Sequence, residues 1–157
     1  MDLLREFKEN EEEIIPNAMK MKDGENYNDY LQRTKDAREW KNLKPGYAPA
    51  SLFFIVDETD NLVGWIHIRH ELAGTLSMHG WHIWYGIKPS ERKKWYASEA
   101  LKLALEEAKK LNINPVMLTC NKDNIGSAKT IMKNGGELEC EYIREDKPNQ
   151  KWRIKND

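Results

Sequence analysis

Arg92, Lys93 and Lys94 form a run of cations at the head of the chain's most periodic helical pattern, Lys94 to Leu111. The amides of a helix's first turn have no partner inside the helix, and the helix dipole adds partial positive charge there. Full charges beside those amides would make a phosphate-binding turn. A solvated basic turn is the plainer alternative. Yet cations at a helix N-terminus oppose the dipole, so they call for a bound anion or a compensating acid such as Glu91. Asn124 and Ser127 open a second predicted helix, where Asn124 suits the N-cap. His82 lies on the predicted strand ahead of the basic turn, and His70 stands beside Glu71. Imidazoles titrate near neutrality and can take a proton from a nucleophile. A hydrogen-bonded structural histidine is the plainer reading, and it is the one adopted for His67 and His79. Cys120 sits in a short apolar run with no histidine near it in sequence, so it reads as core.

The elements that position these groups follow from periodicity. Leu3 to Phe7 reads as a short first strand, and Glu9 to Met21 as a helix interrupted at Pro16. Asn26 to Leu43 is a better helix, closed by Pro45-Gly46. Ser51 to Asp57 is nearly continuous apolar sequence, which suggests a strand buried on both faces. A turn at Glu58 to Asn61 leads to a partner strand, Leu62 to Leu72. A connection over residues 73–79 and a strand from Gly80 to Ile87 bring the chain to the basic turn. After helix Lys94 to Leu111 come strand Val116 to Cys120, helix Asn124 to Lys133, and a closing hairpin. Its strands are Glu137 to Arg144 and Lys151 to Ile154, with Pro148-Asn149 expected at the turn. This order predicts an α+β sandwich with a mixed central sheet.

Three blocks together resemble the GNAT acetyltransferase family: IRHE from Ile68, HIWYGIKPSER from His82, and CNKDNIGSAKTIMKNGG from Cys120. The likeness runs from Pro49 onward. The family's pyrophosphate loop is Arg-x-x-Gly-x-Gly/Ala, and Arg92 and Ala97 match it. Trp95 departs from it at the glycine, and Trp81 and Trp84, ahead of the loop, also stand where the related pattern has glycine. The resemblance implies a three-layer sandwich whose mostly antiparallel sheet contains a splayed pair of parallel strands. Acetyl-CoA, as co-substrate, would lie in that slot, against the strand ending at Ile87. It would be held by the loop Arg92, Lys93, Lys94, Trp95, Tyr96 and Ala97, and by Asn124 and Ser127. No metal is implied. The family often has a tyrosine seven residues after the asparagine to protonate the leaving thiolate. Here that residue is Ile131, and Tyr85 is the nearest phenol by sequence. His82, with His70 behind it, is the expected base. Trp95 is expected inside the first helical turn, with ordinary helical φ and an indole that partly obstructs the slot.

The bulk numbers fit such an enzyme. A chain of 157 residues with 39% hydrophobic and 32% charged residues suits one domain, 1–157. A net charge of −1 gives no field to recruit nucleic acid or an anionic membrane. Two cysteines and an acidic N-terminus without an apolar run point to a cytoplasmic protein. The expected acceptor is a primary amine of a small molecule or peptide, and a homodimer is compatible with the sequence. The other reading is a degenerate or engineered scaffold of the same fold, its cleft filled by tryptophan, that binds without catalysing.

Overall fold

The computed structural model describes residues 2–43, 45–72 and 80–157. Among these residues, four α-helices and six strands follow in the order α1 (Asp2–Glu9), α2 (Tyr27–Arg38), β1 (Ala50–Val56), β2 (Leu62–Arg69), β3 (Ile83–Ile87), α3 (Tyr96–Lys110), β4 (Val116–Asn121), α4 (Ile125–Lys133), β5 (Gly136–Arg144) and β6 (Lys147–Ile154). The strands form two antiparallel ladders, β1-β2-β3 and β4-β6-β5. This is the expected α+β class. The connection predicted over 73–79, with His79, lies outside the described residues.

Period-two alternation sorts side chains of the first ladder onto two faces. Ile66 pairs with Tyr85 and Phe53, and Ile68 with Ile83 and Ser51. That face joins Leu101, Ala104 and Ala108 of α3, Leu118 of β4 and Ile131 of α4 in the larger core. Trp65 pairs with Gly86 and Phe54 on the other face. There Trp65 packs with Leu3 and Phe7 of α1, Ile14 and Met19. Each such side chain contributes about 1.5–3 kcal/mol on burial. Gly86 is needed because the Trp65 ring lies across β3: a Cβ there would come within 2.4 Å of it.

Several sequence expectations are corrected. Leu3 to Phe7 is helical, because Leu3 and Phe7 fall four apart on one buried stripe of α1. Glu9 to Met21 is not a helix; after Pro16 only the 3-10 turn Asn17–Met19 forms. β1 is not buried on both faces, since it is the edge strand and Phe54 and Val56 are exposed. The closing turn falls at Glu145 and Asp146, whose φ values are 50° and 59°. A two-residue hairpin turn of this kind needs φ > 0 at both positions, which proline cannot adopt. Pro148 and Asn149 are therefore strand residues, paired with Ile143 and Tyr142.

β3 and β4 form the splay. The His82 N–H donates to the Met117 carbonyl at 2.8 Å, and the Met117 N–H donates to His82 Nδ1 at 2.9 Å. Three residues on, the Tyr85 hydroxyl meets Ser127 Oγ at 3.0 Å, just beyond the end of β4. The two strands thus run in the same sense, and among the described residues no ladder joins them past His82.

Candidate active site

The loop after β3 is built to expose amides. A 3-10 turn, Pro89–Glu91, follows the strand, and then Arg92 is extended. Lys93 and Trp95 both have positive φ, 64° and 71°. Trp95 is the N-cap of α3 with ψ −6°, so it is not inside the first turn, and its φ is left-handed. Alternation of this kind turns successive N–H groups toward one concave side, an anion nest. Among the described residues, none of the amides from Lys93 to Ala97 has a hydrogen-bond acceptor. The glycine that a left-handed φ favours is absent, yet the nest is formed.

The cations divide differently from the sequence expectation. Arg92 is already occupied: its two terminal nitrogens donate to Glu12 at 2.7 and 2.6 Å, and its Nε donates to the Ile87 carbonyl at 3.1 Å. The Arg92 guanidinium holds the Glu12 carboxyl below the usual carboxylate range. Lys94 pairs with Glu91 at 2.9 Å. Lys93 is exposed and has no acidic partner among the described residues. Trp95 is 70% exposed, and Lys133 Nζ lies 4.2 Å from its ring centroid. An indole that open to solvent is not wedged between the strands.

Past the loop, backbone register sets what the slot presents. The Lys88 N–H donates to the Val63 carbonyl and the Arg69 N–H to the His82 carbonyl. Bonding alternates along an antiparallel strand, so Trp84 and Gly86 also turn their backbone toward β2. The backbone groups of Tyr85 and Ile87 consequently face the slot. The Tyr85 phenol stands in the slot too, and burial pushes its pKa up to about 12. Ile131 is fully buried and closes the core beside it. Asn124 accepts from the Ser127 N–H at 3.0 Å, which makes it the N-cap of α4 as its type suggests.

His82 is placed where it cannot easily be a base. Its Nδ1 lone pair is taken by the Met117 amide, so the neutral ring carries its proton on Nε2. Burial, then Arg69, lowers its pKa to about 4. His82 fastens the closed end of the slot. His70 Nε2 meets Ser51 Oγ at 2.9 Å, and burial lowers its pKa as well. His67 is buried, and burial lowers its pKa to about 3. Cys120 is buried, with its thiol pushed up by burial, as a core residue should be.

Sequence reasoning missed a chamber at the closed end of the slot. Trp81 precedes β3 rather than lying on it, so Trp81 and Trp84 do not face opposite ways; their rings pack 5.1 Å apart. The guanidinium carbons of Arg69 and Arg144 lie 4.5 and 5.6 Å from the Trp81 centroid. One cavity of about 1820 Å³ is lined by the loop, the slot and this chamber together. The alternation of His67 with Arg69 along β2 was a signal, but Arg144 comes from a distant hairpin that no local pattern connects to it.

Residues 3–137 match the sequence profile described as "Acetyltransferase (GNAT) domain". No curated protein sequence gives a significant match. Among solved structures, a mutant form of the spermidine N-acetyltransferase SpeG from Vibrio cholerae has a TM-score of 0.64 at 17% identity, over 98% of this chain and 88% of that one. The spermidine N-acetyltransferase from Vibrio cholerae in complex with CoA and spermine has a TM-score of 0.62 at 16% identity, over 87% and 79%. A GNAT-family acetyltransferase from Bacillus anthracis has a TM-score of 0.55 at 22% identity, over 67% and 66%.

Proposed function

The chain belongs to the GNAT acetyltransferase family, and from that premise we propose that it transfers an acetyl group from acetyl-CoA to a primary amine by direct attack. The observation that carries this reading is the unpartnered amide nest at residues 93–97, opening into the slot between β3 and β4. In this reading the nest and Lys93 take the pyrophosphate, while Arg92 holds the loop to Glu12. Slot-facing backbone amides of Tyr85 and Ile87 bind the thioester oxygen, where negative charge grows during attack. The amine nitrogen forms the new C–N bond, the C–S bond breaks, and a proton leaving the amine ends on the sulfur. Tyr85, kept protonated, donates a hydrogen bond to that sulfur, with Ser127 behind it. Most of the acceleration comes from holding two reactants together.

The test is calorimetric binding of acetyl-CoA together with thiol release in the presence of amines. Tyr85→Phe should lower turnover by roughly ten- to a hundredfold with acetyl-CoA affinity kept, as befits a proton-handling group. Failure of acetyl-CoA to bind the wild type would leave the non-catalytic scaffold as the better reading.

A further inference from the structure

We propose that the acceptor amine also carries a carboxylate, which Arg69 and Arg144 bind beside Trp81. This rests on the acetyltransferase reading and names its substrate class. Arg69 Nη1 and Trp81 Nε1 are both buried, and neither has a hydrogen-bond partner among the described residues. His67 Nδ1, two residues before Arg69 on β2, is in the same condition. A buried N–H without an acceptor is costly, and a buried cation without an anion more so. Among the described residues, half-buried Arg69 therefore has a buried N–H with no acceptor, a place an anion would fill.

Seven acids line the cavity, and among the described residues none of them is paired with Arg69. Glu145 lies 3.5 Å from Arg144 Nε but is mostly in solvent. Glu12 is engaged by Arg92, and Asp36 accepts from Gln32 and Asn42. Two guanidiniums 4.5 and 5.6 Å from one indole repel a polycation and suit a planar carboxylate, which a guanidinium grips with two parallel hydrogen bonds. Position fits the role as well. The Arg69 N–H bonds the carbonyl of His82, the residue that pins β3 to β4. The carboxylate would thus be held at the closed end of the slot, with the amine directed through the slot toward Tyr85, whose side chain lies on the opposite face of the first ladder. Three residues of strand span roughly 10 Å, so the separation of amine and carboxylate should matter.

The experiment is a steady-state comparison of amines with acetyl-CoA. Free amino acids and ω-amino acids of increasing length are each set against their primary amide, with spermidine as the polyamine. At least one carboxylate-bearing amine should exceed its amide tenfold or more in kcat/KM, and should exceed spermidine. Arg69→Gln and Arg144→Gln should each raise the KM for that acceptor about tenfold while the KM for acetyl-CoA stays unchanged. Arg144, exposed at the end of β5, keeps the test available if the Arg69 variant misfolds. Equal rates for acid and amide, preference for spermidine, or acetyl-CoA binding with no carboxylate-bearing amine acetylated would each overturn the proposal. Loss of acetyl-CoA binding in the wild type would instead overturn the transferase reading beneath it.

Discussion

At residue scale the decisive position is Trp95. A left-handed φ costs an ordinary residue about 1–2 kcal/mol and costs glycine nothing. Trp95 sits at φ 71°, and its ring gains a cation contact from Lys133. Removing the ring loses that contact whatever replaces it, so glycine and alanine differ only in backbone. Trp95→Gly should then be more stable than Trp95→Ala by about 1 kcal/mol, the reverse of the usual helix order. Urea melts of the two variants measure this, and alanine at or above glycine would sink it. The histidines give a second residue-scale outcome. His82 has a folded pKa of about 4 against 6.5 for the free group, and His67 about 3. Lowered folded pKa values mean that the unfolded chain binds more protons in that window. Stability is therefore full above about pH 6.5 and is lost as pH falls through 4. In His82→Gln the decline between roughly pH 6.5 and 5, where few carboxylates titrate, should be shallower. Denaturation free energies at a series of pH values would show it, and an unchanged slope would remove His82 as a source.

At element scale the loop after β3 separates what was legible in the sequence from what was not. The strand, the basic turn and helix α3 could all be read, because each has a local signature: an apolar run, charges, and a 3.6-residue repeat. The roles inside the turn could not. Arg92 looked like the phosphate ligand by motif, but Glu12, 80 residues earlier, takes its guanidinium bidentately. Leu3 to Phe7 was misread for a related reason, since five residues fit a strand or a helix and only the packing of Phe7 on Trp65 decides. The consequence is an order of effects. Lys93→Ala should weaken acetyl-CoA binding more than Arg92→Ala does. Arg92→Ala should mainly loosen the fold, with a coupling to Glu12 of about 0.5–1 kcal/mol for a half-exposed bidentate pair. Calorimetry with acetyl-CoA and a double-mutant cycle for stability separate the two. Arg92→Ala as the larger loss in affinity would return the arginine to the phosphate.

At the scale of the whole molecule, among the described residues the two antiparallel ladders are joined by a backbone hydrogen bond only at His82 with Met117, and they diverge from there. A ligand lying between them would touch both ladders and tie them together along the length of the slot. Acetyl-CoA at a hundred times its Kd should stabilise the folded chain by about 2.7 kcal/mol. For a domain of this size that is a rise in Tm of roughly 5–10 °C. The distribution of the effect matters more than its size. Amide exchange should slow at the slot-facing positions of β3 and at residues 93–97, which are the open amides of the nest. It should not slow at Glu145 and Asp146, which cap a hairpin on the acceptor side. Those two should respond only when a carboxylate-bearing amine, or its acetylated product, is added after the nucleotide. If acetyl-CoA alone protects the hairpin turn and leaves residues 93–97 unchanged, the two ends of the cavity have been assigned the wrong way round. The nest would then be a feature of the backbone without a phosphate to hold.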